Sequence, residues 1–183
     1  MKAPPSILVG VTGSIAAYKA CEIVSRLRGL GAEVTVVMTT AAQEFVGPAT
    51  FRALSRNQVV THMFIENERY NPLHVSLAEK ADLLLIAPAT ANVIGKLASG
   101  IADDILSCLA LACRCPVLIA PAMNDAMYAH PVVQRNVRTL KAIGYQFVGP
   151  VKGRLASGKI GLGRMEDVDV IVEAAWKALK RKK

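Results

Sequence analysis

The chain has few aromatic residues and no long apolar run. Phe, Trp and Tyr make up 5% of its 183 residues, which leaves little surface for stacking on nucleic-acid bases. Every apolar run is far shorter than the roughly 18 residues that a membrane-spanning helix needs. The start of the chain, Met-Lys-Ala-Pro-Pro, lacks the continuous apolar stretch of a signal peptide. These absences predict a cytoplasmic protein that binds neither nucleic acid nor a membrane.

Cysteine and clustered carboxylates are also sparse. The chain contains four cysteines, Cys21, Cys108, Cys113 and Cys115. One residue separates the last two, so they form no CxxC motif, and we expect neither a zinc site nor a redox dithiol. Asp103 and Asp104 lack the further carboxylates that a metal pair would need. We expect them to stabilise the start of a helix over 105–112, and we predict no metal site.

Positive charge is concentrated at one end of the chain. The formal net charge is +8, and the last seven residues include five cations, Lys177, Lys180, Arg181, Lys182 and Lys183. We expect one domain over residues 1–176, followed by a basic tail over 177–183 whose cations suit a helix C-terminus. The alternative is that this tail begins a linker to a further domain.

Two predicted strands end in the same way. An apolar run leads into Ala87-Pro88-Ala89 and then Asn92, and a second leads into Ala120-Pro121-Ala122 and then Asn124. Such runs are typical of strands that are covered on both faces of a parallel sheet, and we expect the prolines to end them. Ligands bind beyond the carboxyl ends of such strands, so the two Asn side chains are predicted to line one crevice.

The chain opens with a strand, a turn, a helix and a strand. Apolar positions predict a strand over 6–11, a helix from 15 to about 29 and a strand over 33–38. The turn at Gly13-Ser14 matches neither the dinucleotide fingerprint nor the phosphate-binding P-loop. Its backbone N–H groups suit one phosphate, and Thr39 adds a hydroxyl at the same sheet edge. The alternative is that Ser14 only caps the helix.

The remaining pattern alternates helices and strands. We expect two helical pieces over 41–56 broken at Gly47-Pro48, an irregular stretch over 57–72, and helices over 93–97 and 131–143. A short strand over 146–148 precedes a Gly-rich loop over 149–166, and Asp167 or Asp169 caps a closing helix. The resulting fold class is α/β: a single-domain, three-layer, Rossmann-like (flavodoxin-like) fold with a doubly wound, mostly parallel sheet.

Two further features suggest chemistry. The Gly-rich loop carries four basic residues that would suit an acidic substrate, Lys152, Arg154, Lys159 and Arg164. His74, in the segment Leu-His-Val-Ser, is the best-placed titratable side chain because histidine changes its charge near neutral pH. The competing interpretation of His74 is an ordinary core or surface residue.

Five segments together resemble one known family. They are residues 13–19 (Gly-Ser-Ile-Ala-Ala-Tyr-Lys), 73–74 (Leu-His), 87–92 (Ala-Pro-Ala-Thr-Ala-Asn), 121–124 (Pro-Ala-Met-Asn) and 161–165 (Gly-Leu-Gly-Arg-Met). In this order they are similar to the homo-oligomeric flavin-containing cysteine decarboxylases, and specifically to the phosphopantothenoylcysteine decarboxylase group. The resemblance covers essentially the whole chain. It implies FMN-dependent conversion of 4′-phosphopantothenoylcysteine to 4′-phosphopantetheine in coenzyme A biosynthesis.

The resemblance also implies roles for individual residues. FMN would be held by Gly13, Ser14, Ile15, Thr39, Ala89, Thr90, Asn92, Ala122 and Met123. The substrate would contact Met123, Asn124, Ala156, Gly158, Lys159 and Arg164. His74 would be the catalytic base, Asn124 would hold the carboxylate or amide of the cysteine moiety, and the 153–165 loop would close over the substrate.

Ser157 departs from the family pattern. The family's chemistry oxidises the cysteine moiety to a thioaldehyde, releases CO2 to leave an enethiol, and then re-reduces that enethiol with the reduced flavin. Well-studied members carry a cysteine at the position of Ser157, and that cysteine is associated with the final reduction. Serine is a much weaker acid than a thiol. We expect full turnover, with arrest at the enethiol as the alternative.

The resemblance extends to assembly and leaves two other functions open. Family members form trimers or multiples of trimers such as dodecamers, with the flavin near a subunit interface, and in many bacteria a synthetase domain follows. One alternative function is oxidative decarboxylation of a C-terminal peptidyl cysteine. Another is a non-catalytic, flavin-binding regulatory subunit. The residues His74 and Asn124 favour catalysis.

Overall fold

The core of the protein is a six-stranded parallel sheet. The computed structural model describes residues 3–63 and 73–180. In chain order the strands are β1 Ser6–Val11, β2 Glu33–Met38, β3 Val59–Val60, β4 Leu83–Ala89, β5 Val117–Pro121 and β6 Gln146–Phe147. They pair in the order β3-β2-β1-β4-β5-β6, each neighbour parallel. This order is that of a doubly wound, Rossmann-like sheet, so the predicted fold class is confirmed.

Helices cover both faces of the sheet. In chain order they are α1 Ala17–Gly29, α2 Thr40–Gln43, α3 Pro48–Ser55, α4 Leu73–Lys80, α5 Ala91–Ser99, α6 Ile105–Ala112, α7 Asp125–Ala129, α8 Pro131–Ala142 and α9 Val168–Lys180. Helices α1, α2, α3 and α9 bury apolar side chains against one face, and α4, α5, α6 and α8 bury theirs against the other. None of the helices in the described ranges combines the length and apolar character that a membrane span requires.

The apolar runs of the central strands follow from this double cover. Along β4, Leu83 and Leu85 pack into the layer that contains α1 and α9, whereas Leu84 and Ile86 pack into the layer that contains α5 and α6. All four side chains are fully buried. A strand that is covered on both faces has no polar alternation, so its uninterrupted apolar sequence is the expected signal.

Proline ends one of the two similar strands but not the other. Pro121 is the last residue of β5, as predicted. β4 contains the cis Ala87-Pro88 peptide bond and ends at Ala89, so it ends with Ala-Pro-Ala as predicted, but one residue past the proline. The β4–β5 ladder shifts its register between Ile86 and Ala89. Pro88 therefore lies where regular pairing is already interrupted and a missing N–H is tolerated.

The segment predicted as a Gly-rich loop is largely an antiparallel ribbon. Strands β7 (Val151–Arg154) and β8 (Ile160–Arg164) pair with each other and form a second, two-stranded sheet. The loop prediction was wrong because glycine is uncommon inside strands, so a Gly-rich sequence does not indicate one. In this ribbon the glycines allow close packing. A Cβ built at Gly153 would lie 2.8 Å from Cδ of Arg164, so a larger residue there would displace that side chain.

Two smaller elements also differ from prediction. The two-residue strand β3 lies in the stretch expected to be irregular, where it pairs with Val36 and Val37 at the sheet edge. The rest of that stretch, residues 64–72, lies outside the described residues. Helix α1 begins at Ala17 rather than at Ile15, and Ala16 occupies the N-cap without a side-chain hydrogen bond.

The predicted structural role of Asp104 is confirmed. Its carboxylate accepts a hydrogen bond from the Ser107 amide at 2.8 Å and caps α6. Lys96 reaches both Asp103 (2.7 Å) and Asp104 (2.8 Å). Partial burial tends to raise the pKa of Asp104, but the hydrogen bonds from Lys96 and Ser107 outweigh it and lower the pKa. Asp167, predicted as one possible cap of α9, directly precedes that helix and pairs with Arg164.

Candidate active site

A cavity of about 540 Å³ lies beyond the carboxyl ends of β1, β4 and β5. Four segments supply its lining: the first turn with the start of α1 (13–19), the start of α5 (90–91), the end of β5 with α7 (122–127), and the ribbon (154–165). β1 and β4 are neighbours in the sheet but not in the chain. The cavity therefore opens at the point where the strand order reverses, which is the usual ligand site of such sheets.

The first turn is packed closely and leaves amide groups unpaired. A Cβ built at Gly13 would lie 2.5 Å from Cβ of Ala41 in α2, so only glycine fits there. Ser14 donates its N–H to the Thr12 carbonyl at 2.8 Å, whereas the N–H groups of Gly13 and Ile15 donate to no acceptor within the described residues. Unpaired amides at the start of a helix can bind an anion.

The end of β5 carries the polar group of the cavity. Asn124 caps α7, because its Oδ1 accepts a hydrogen bond from the Ala126 amide at 2.9 Å. This bond occupies the carbonyl oxygen of the side chain and leaves the Nδ2 hydrogens available to an acceptor. Asn124 is exposed and lines the cavity, so the free end of its amide is a donor that suits a carboxylate.

The ribbon forms the opposite wall and is held against β5 and α7. Met123 donates its N–H to the Gly163 carbonyl at 3.0 Å. A Cβ built at Gly161 would lie 2.5 Å from Oδ2 of Asp125, so the ribbon approaches α7 as closely as glycine allows. The tip turns through a bond from the Gly158 amide to the Leu155 carbonyl (2.9 Å).

The charge of the lining is positive. Lys19, Arg154 and Arg164 line the cavity, and no Asp or Glu is among the described lining residues. Arg164 donates through Nη2 to Asp167 at 2.8 Å, but its Nε is buried without a hydrogen-bond partner. A buried, unpaired donor is unfavourable until an acceptor reaches it. The cavity therefore suits a ligand with anionic groups.

Ten of the predicted site residues line this cavity. They are Gly13, Ser14, Ile15, Thr90, Ala122, Met123, Asn124, Ala156, Ser157 and Arg164. These residues lie far apart in the sequence and meet only because the parallel strands and the ribbon bring their segments to the same edge of the sheet. The roles assigned to them remain predictions.

Six other predicted residues lie outside the lining: Thr39, His74, Ala89, Asn92, Gly158 and Lys159. Thr39 caps α2, where its hydroxyl accepts from the Ala42 amide at 3.3 Å. His74 is half-buried in the first turn of α4, a helix that packs mainly on α6. Their functional roles also remain predictions.

Sequence reasoning missed several lining residues. Ala16, Tyr18, Lys19, Ala91 and Met127 also line the cavity, and the ribbon segment adds Arg154, Leu155, Gly163 and Met165. Tyr18 and Lys19 follow the first turn within one helical turn, and this spacing was an available signal. Met127 lies on the short helix α7, which the sequence pattern did not predict, so its position depended on the tertiary structure.

No thiol in the described part of the chain lines the cavity. Cys21 lies on α1, where burial raises its pKa. Contact with the Cys115 thiol and burial raise the pKa of Cys113, on the α6 side of the sheet. Among the tip residues that line the cavity, Leu155, Ala156 and Ser157, only Ser157 has a side chain that could supply a proton in place of a thiol, and it is a weaker acid.

Comparison with known proteins identifies the family. The family model described as Flavoprotein matches residues 1–180. The chain belongs to the Flavoprotein family. It is 51% identical over 172 residues to the coenzyme A biosynthesis bifunctional protein CoaBC of Bacillus subtilis, covering 94% of this chain and 42% of that protein. The chain thus spans less than half the length of these bifunctional relatives.

A shorter relative and two solved structures match the chain along most of their own length. A probable phosphopantothenoylcysteine decarboxylase of Streptococcus mutans is 43% identical, with 91% of this chain and 94% of that protein covered. A cysteine-to-serine mutant of PPC decarboxylase complexed with pantothenoylaminoethenethiol has a TM-score of 0.87 at 30% identity, covering 97% and 99%. The FMN-dependent cysteine decarboxylase SpaF has a TM-score of 0.82 at 37% identity, covering 96% and 98%.

Proposed function

We propose that this flavoprotein catalyses the FMN-dependent decarboxylation of 4′-phosphopantothenoylcysteine to 4′-phosphopantetheine in coenzyme A biosynthesis. The observation that carries the proposal is the single cavity that unites the first turn, the Met123-Asn124 segment and the Ala156-Ser157 tip. The relatives described as decarboxylases or as coenzyme A biosynthesis proteins match nearly the whole chain. The same assignment implies a cytoplasmic enzyme.

FMN fits the residues of this cavity. Its volume, about 540 Å³, lies in the range of roughly 300–1,000 Å³ typical of small-molecule sites. The unpaired amides of Gly13 and Ile15 would bind the cofactor phosphate, with Lys19 one helical turn away. When bound, FMN supplies a two-electron oxidation of the cysteine moiety and later returns the electrons.

The chain's own residues bind and orient the substrate. The Nδ2 group of Asn124 donates to the carboxylate that is lost as CO2. Met127 and Met165 contribute apolar surface to the wall. Excluding water there weakens the solvation of the carboxylate relative to neutral CO2, which favours its loss. Arg154 and the unpaired Nε of Arg164 are the proposed partners of the substrate phosphate.

We infer that the working unit is a homo-oligomer, either a trimer or a multiple of trimers. His74 does not line the cavity of its own chain, so its proposed role as base requires a neighbouring copy. Large apolar side chains are exposed beside the cavity: Ile15 is 58% exposed, Tyr18 is 60% exposed, and Ile160 on the ribbon is 69% exposed. Exposed apolar side chains of this kind are typical of protein–protein interfaces, so they support the proposed assembly.

The domain organisation is also a proposal. The decarboxylase domain, predicted over residues 1–176, includes the whole of α9 to Lys180, because Ala178 is buried in the core. The rest of the predicted basic tail over 177–183 would lead to a phosphopantothenoylcysteine synthetase domain. The support is that the bifunctional relatives match this chain over 42–43% of their length.

Ser157 supports a second candidate function, release of the enethiol. The cavity holds a serine in the tip and no thiol among its described lining residues. If no other group protonates the enethiol, the reaction would stop before re-reduction and the enethiol would be the product. The two electrons would then stay on the cofactor, so each further turnover would need an external oxidant such as O2.

Mass spectrometry of the product distinguishes the candidates. Purified, FMN-loaded protein is incubated with 4′-phosphopantothenoylcysteine. Loss of CO2 alone is the expected result and supports full turnover. Loss of CO2 together with two hydrogens would establish the enethiol as product. If this substrate is unchanged and a C-terminal cysteinyl peptide is decarboxylated instead, the protein is a peptidyl-cysteine decarboxylase and the proposal is replaced. If neither substrate is turned over, the result favours a regulatory flavoprotein.

A further inference from the structure

Thr12 places a buried hydroxyl where the strand order of the sheet reverses. It directly follows β1, precedes the Gly13-Ser14 turn and is 1% exposed. Among the described residues, the buried polar side chains are Thr12, Ser55 and Ser107. Thr12 does not line the cavity, so no ligand contact explains its hydroxyl.

The hydroxyl of Thr12 is hydrogen-bonded on both sides to the end of β4. Oγ1 donates to the Pro88 carbonyl at 2.7 Å and accepts from the Thr90 amide at 3.0 Å. The Thr12 carbonyl accepts from the Ser14 amide at 2.8 Å. One residue therefore bonds both to the first turn and to the Thr90 segment, which form two sides of the cavity.

The hydrogen bonds of Thr12 lie where the backbone pairing between β1 and β4 has ended. Regular pairing of β1 with β4 ends at the Gly10–Ile86 pair. Two residues further along β4, Pro88 has no N–H to donate, and the β4–β5 register shifts at the same place. A hydroxyl both donates and accepts, so Thr12 satisfies a carbonyl and an amide that no neighbouring strand reaches.

The position of the β4 end affects more than Thr90. Ala89 accepts a hydrogen bond from the Ala122 amide at 3.0 Å, and Ala122 leads directly into Met123 and Asn124. A displaced β4 end would therefore also move the segment that the proposed function assigns to substrate binding.

We propose that Thr12 is a positioning residue for the cofactor: its hydroxyl holds the Thr90 segment at the separation from the first turn that FMN requires. This inference rests on the proposed flavin-dependent function. Thr12 acts through Thr90 and touches no ligand itself.

The test compares three variants of the full chain. Thr12→Val keeps the shape and removes the hydroxyl, and Thr12→Ser restores the hydroxyl. Ser107→Ala is the matched control, because Ser107 is also a fully buried hydroxyl, but it accepts from the Asp104 amide in the capping box of α6 and does not line the cavity. Each protein is titrated with FMN by flavin fluorescence, and the Tm is measured with and without FMN.

Thr12→Val removes both hydrogen bonds of the hydroxyl and is expected to raise the FMN Kd about tenfold, which corresponds to the net value of about one hydrogen bond, because the rest of the loss destabilises the free protein as well. Thr12→Ser should return the Kd to near the wild-type value. Ser107→Ala should lower the Tm and leave the Kd unchanged. A Thr12→Val protein with the wild-type Kd, whatever its Tm, would overturn the inference, since the hydroxyl would then serve stability alone.

Hydrogen exchange of the wild-type protein tests the same inference if Thr12→Val does not fold. The Thr90 amide should exchange slowly, and more slowly with FMN bound. Exchange at the rate of an exposed amide in the FMN complex would overturn the inference. Failure of the proposed function gives a different result: wild-type protein that binds FMN but does not decarboxylate the substrate leaves the role of Thr12 in flavin binding intact.

Discussion

Met123 and Gly163 join the sheet to the ribbon through one hydrogen bond and one close contact. The Met123 amide donates to the Gly163 carbonyl at 3.0 Å, and a Cβ built at Gly163 would collide with the Met123 carbonyl oxygen. The ribbon is thus docked at its base against the segment that carries Asn124. Beyond this docked base, Ala156 and Ser157 lie exposed at the tip over residues 155–159.

The docking of the ribbon predicts that Gly163→Ala is destabilising. The added methyl group meets backbone atoms, which cannot move aside as a flexible side chain can, and we expect a loss of about 1–3 kcal/mol in the free energy of unfolding. Decarboxylation should fall as Asn124 shifts. Gly29→Ala is the control, since no atom lies within 4 Å of a Cβ there. Urea denaturation gives the free energy of unfolding of Gly163→Ala and of Gly29→Ala. Equal values for the two variants would contradict the docking argument.

Asn124→Asp separates substrate binding from helix capping. An aspartate still accepts the Ala126 amide and caps α7, so the Tm should change little. It replaces the Nδ2 donor with a second acceptor that repels the substrate carboxylate, and we expect the rate to fall at least about a hundredfold. Asn124→Ala should lose both the activity and about 1 kcal/mol of stability. Full activity of Asn124→Asp would refute the proposed contact.

Mixing two inactive variants tests whether neighbouring copies share a site. His74→Asn and Asn124→Asp are each expected to be inactive while retaining flavin. In randomly mixed oligomers, roughly one quarter of the sites would combine an intact Asn124 with an intact His74 from the adjacent copy. Co-expression with two affinity tags should therefore recover about that share of wild-type activity. No recovery in verified mixed oligomers would exclude a shared site.

The positive lining predicts a specific role for Arg154 in phosphate recognition. Arg154 lines the cavity, and within the described residues its side chain makes no ion pair or hydrogen bond. It lies two residues from Lys152, which does not line the cavity. We expect Arg154→Met to raise the KM for the phosphorylated substrate about tenfold and to leave the KM for the dephosphorylated analogue unchanged. Lys152→Met should change neither. Equal losses on both substrates would indicate a structural effect.

Ser157→Cys tests the acid needed for the last step. A thiol is far more acidic than a hydroxyl, so early in the reaction the variant should show a higher proportion of fully reduced product relative to enethiol than the wild type does. The ratio is read from the masses of the two products in a single-turnover reaction. Cys21→Ser is the control and should leave the ratio unchanged, because Cys21 does not line the cavity. An unchanged ratio in Ser157→Cys, where the wild type releases enethiol, would exclude Ser157 as its cause.

Local signals predicted most of the sheet and its helices. The apolar runs at 83–89 and 117–121 became buried parallel strands, and the break at Gly47-Pro48 separates α2 from α3. Asp104 caps its helix as expected. These predictions succeeded because burial, turn chemistry and capping act between residues that are close in the chain.

The same local signals failed for the ribbon and for α7. Gly161 and Gly163 belong to a strand because they pack against Asp125 and Met123, contacts that span more than 35 positions of the chain. A Gly-rich segment read by itself indicates a loop, since glycine has no side chain to signal burial. Helix α7 has five residues, too few to show helical periodicity.

By itself, the sequence determined the strand–helix order, the doubly wound class and the segments that meet at the carboxyl edge of the sheet, because these follow from local apolar patterns and from the geometry of parallel strands. Only the tertiary structure decided which side chains face the cavity. It brought in Lys19 and Arg154, left His74 outside the lining, and placed the Thr12 hydroxyl between two strand ends. Those outcomes depend on the register of the strands, on the proline where the β4–β5 pairing shifts, and on contacts of glycines with distant segments. No single stretch of the sequence contains this information.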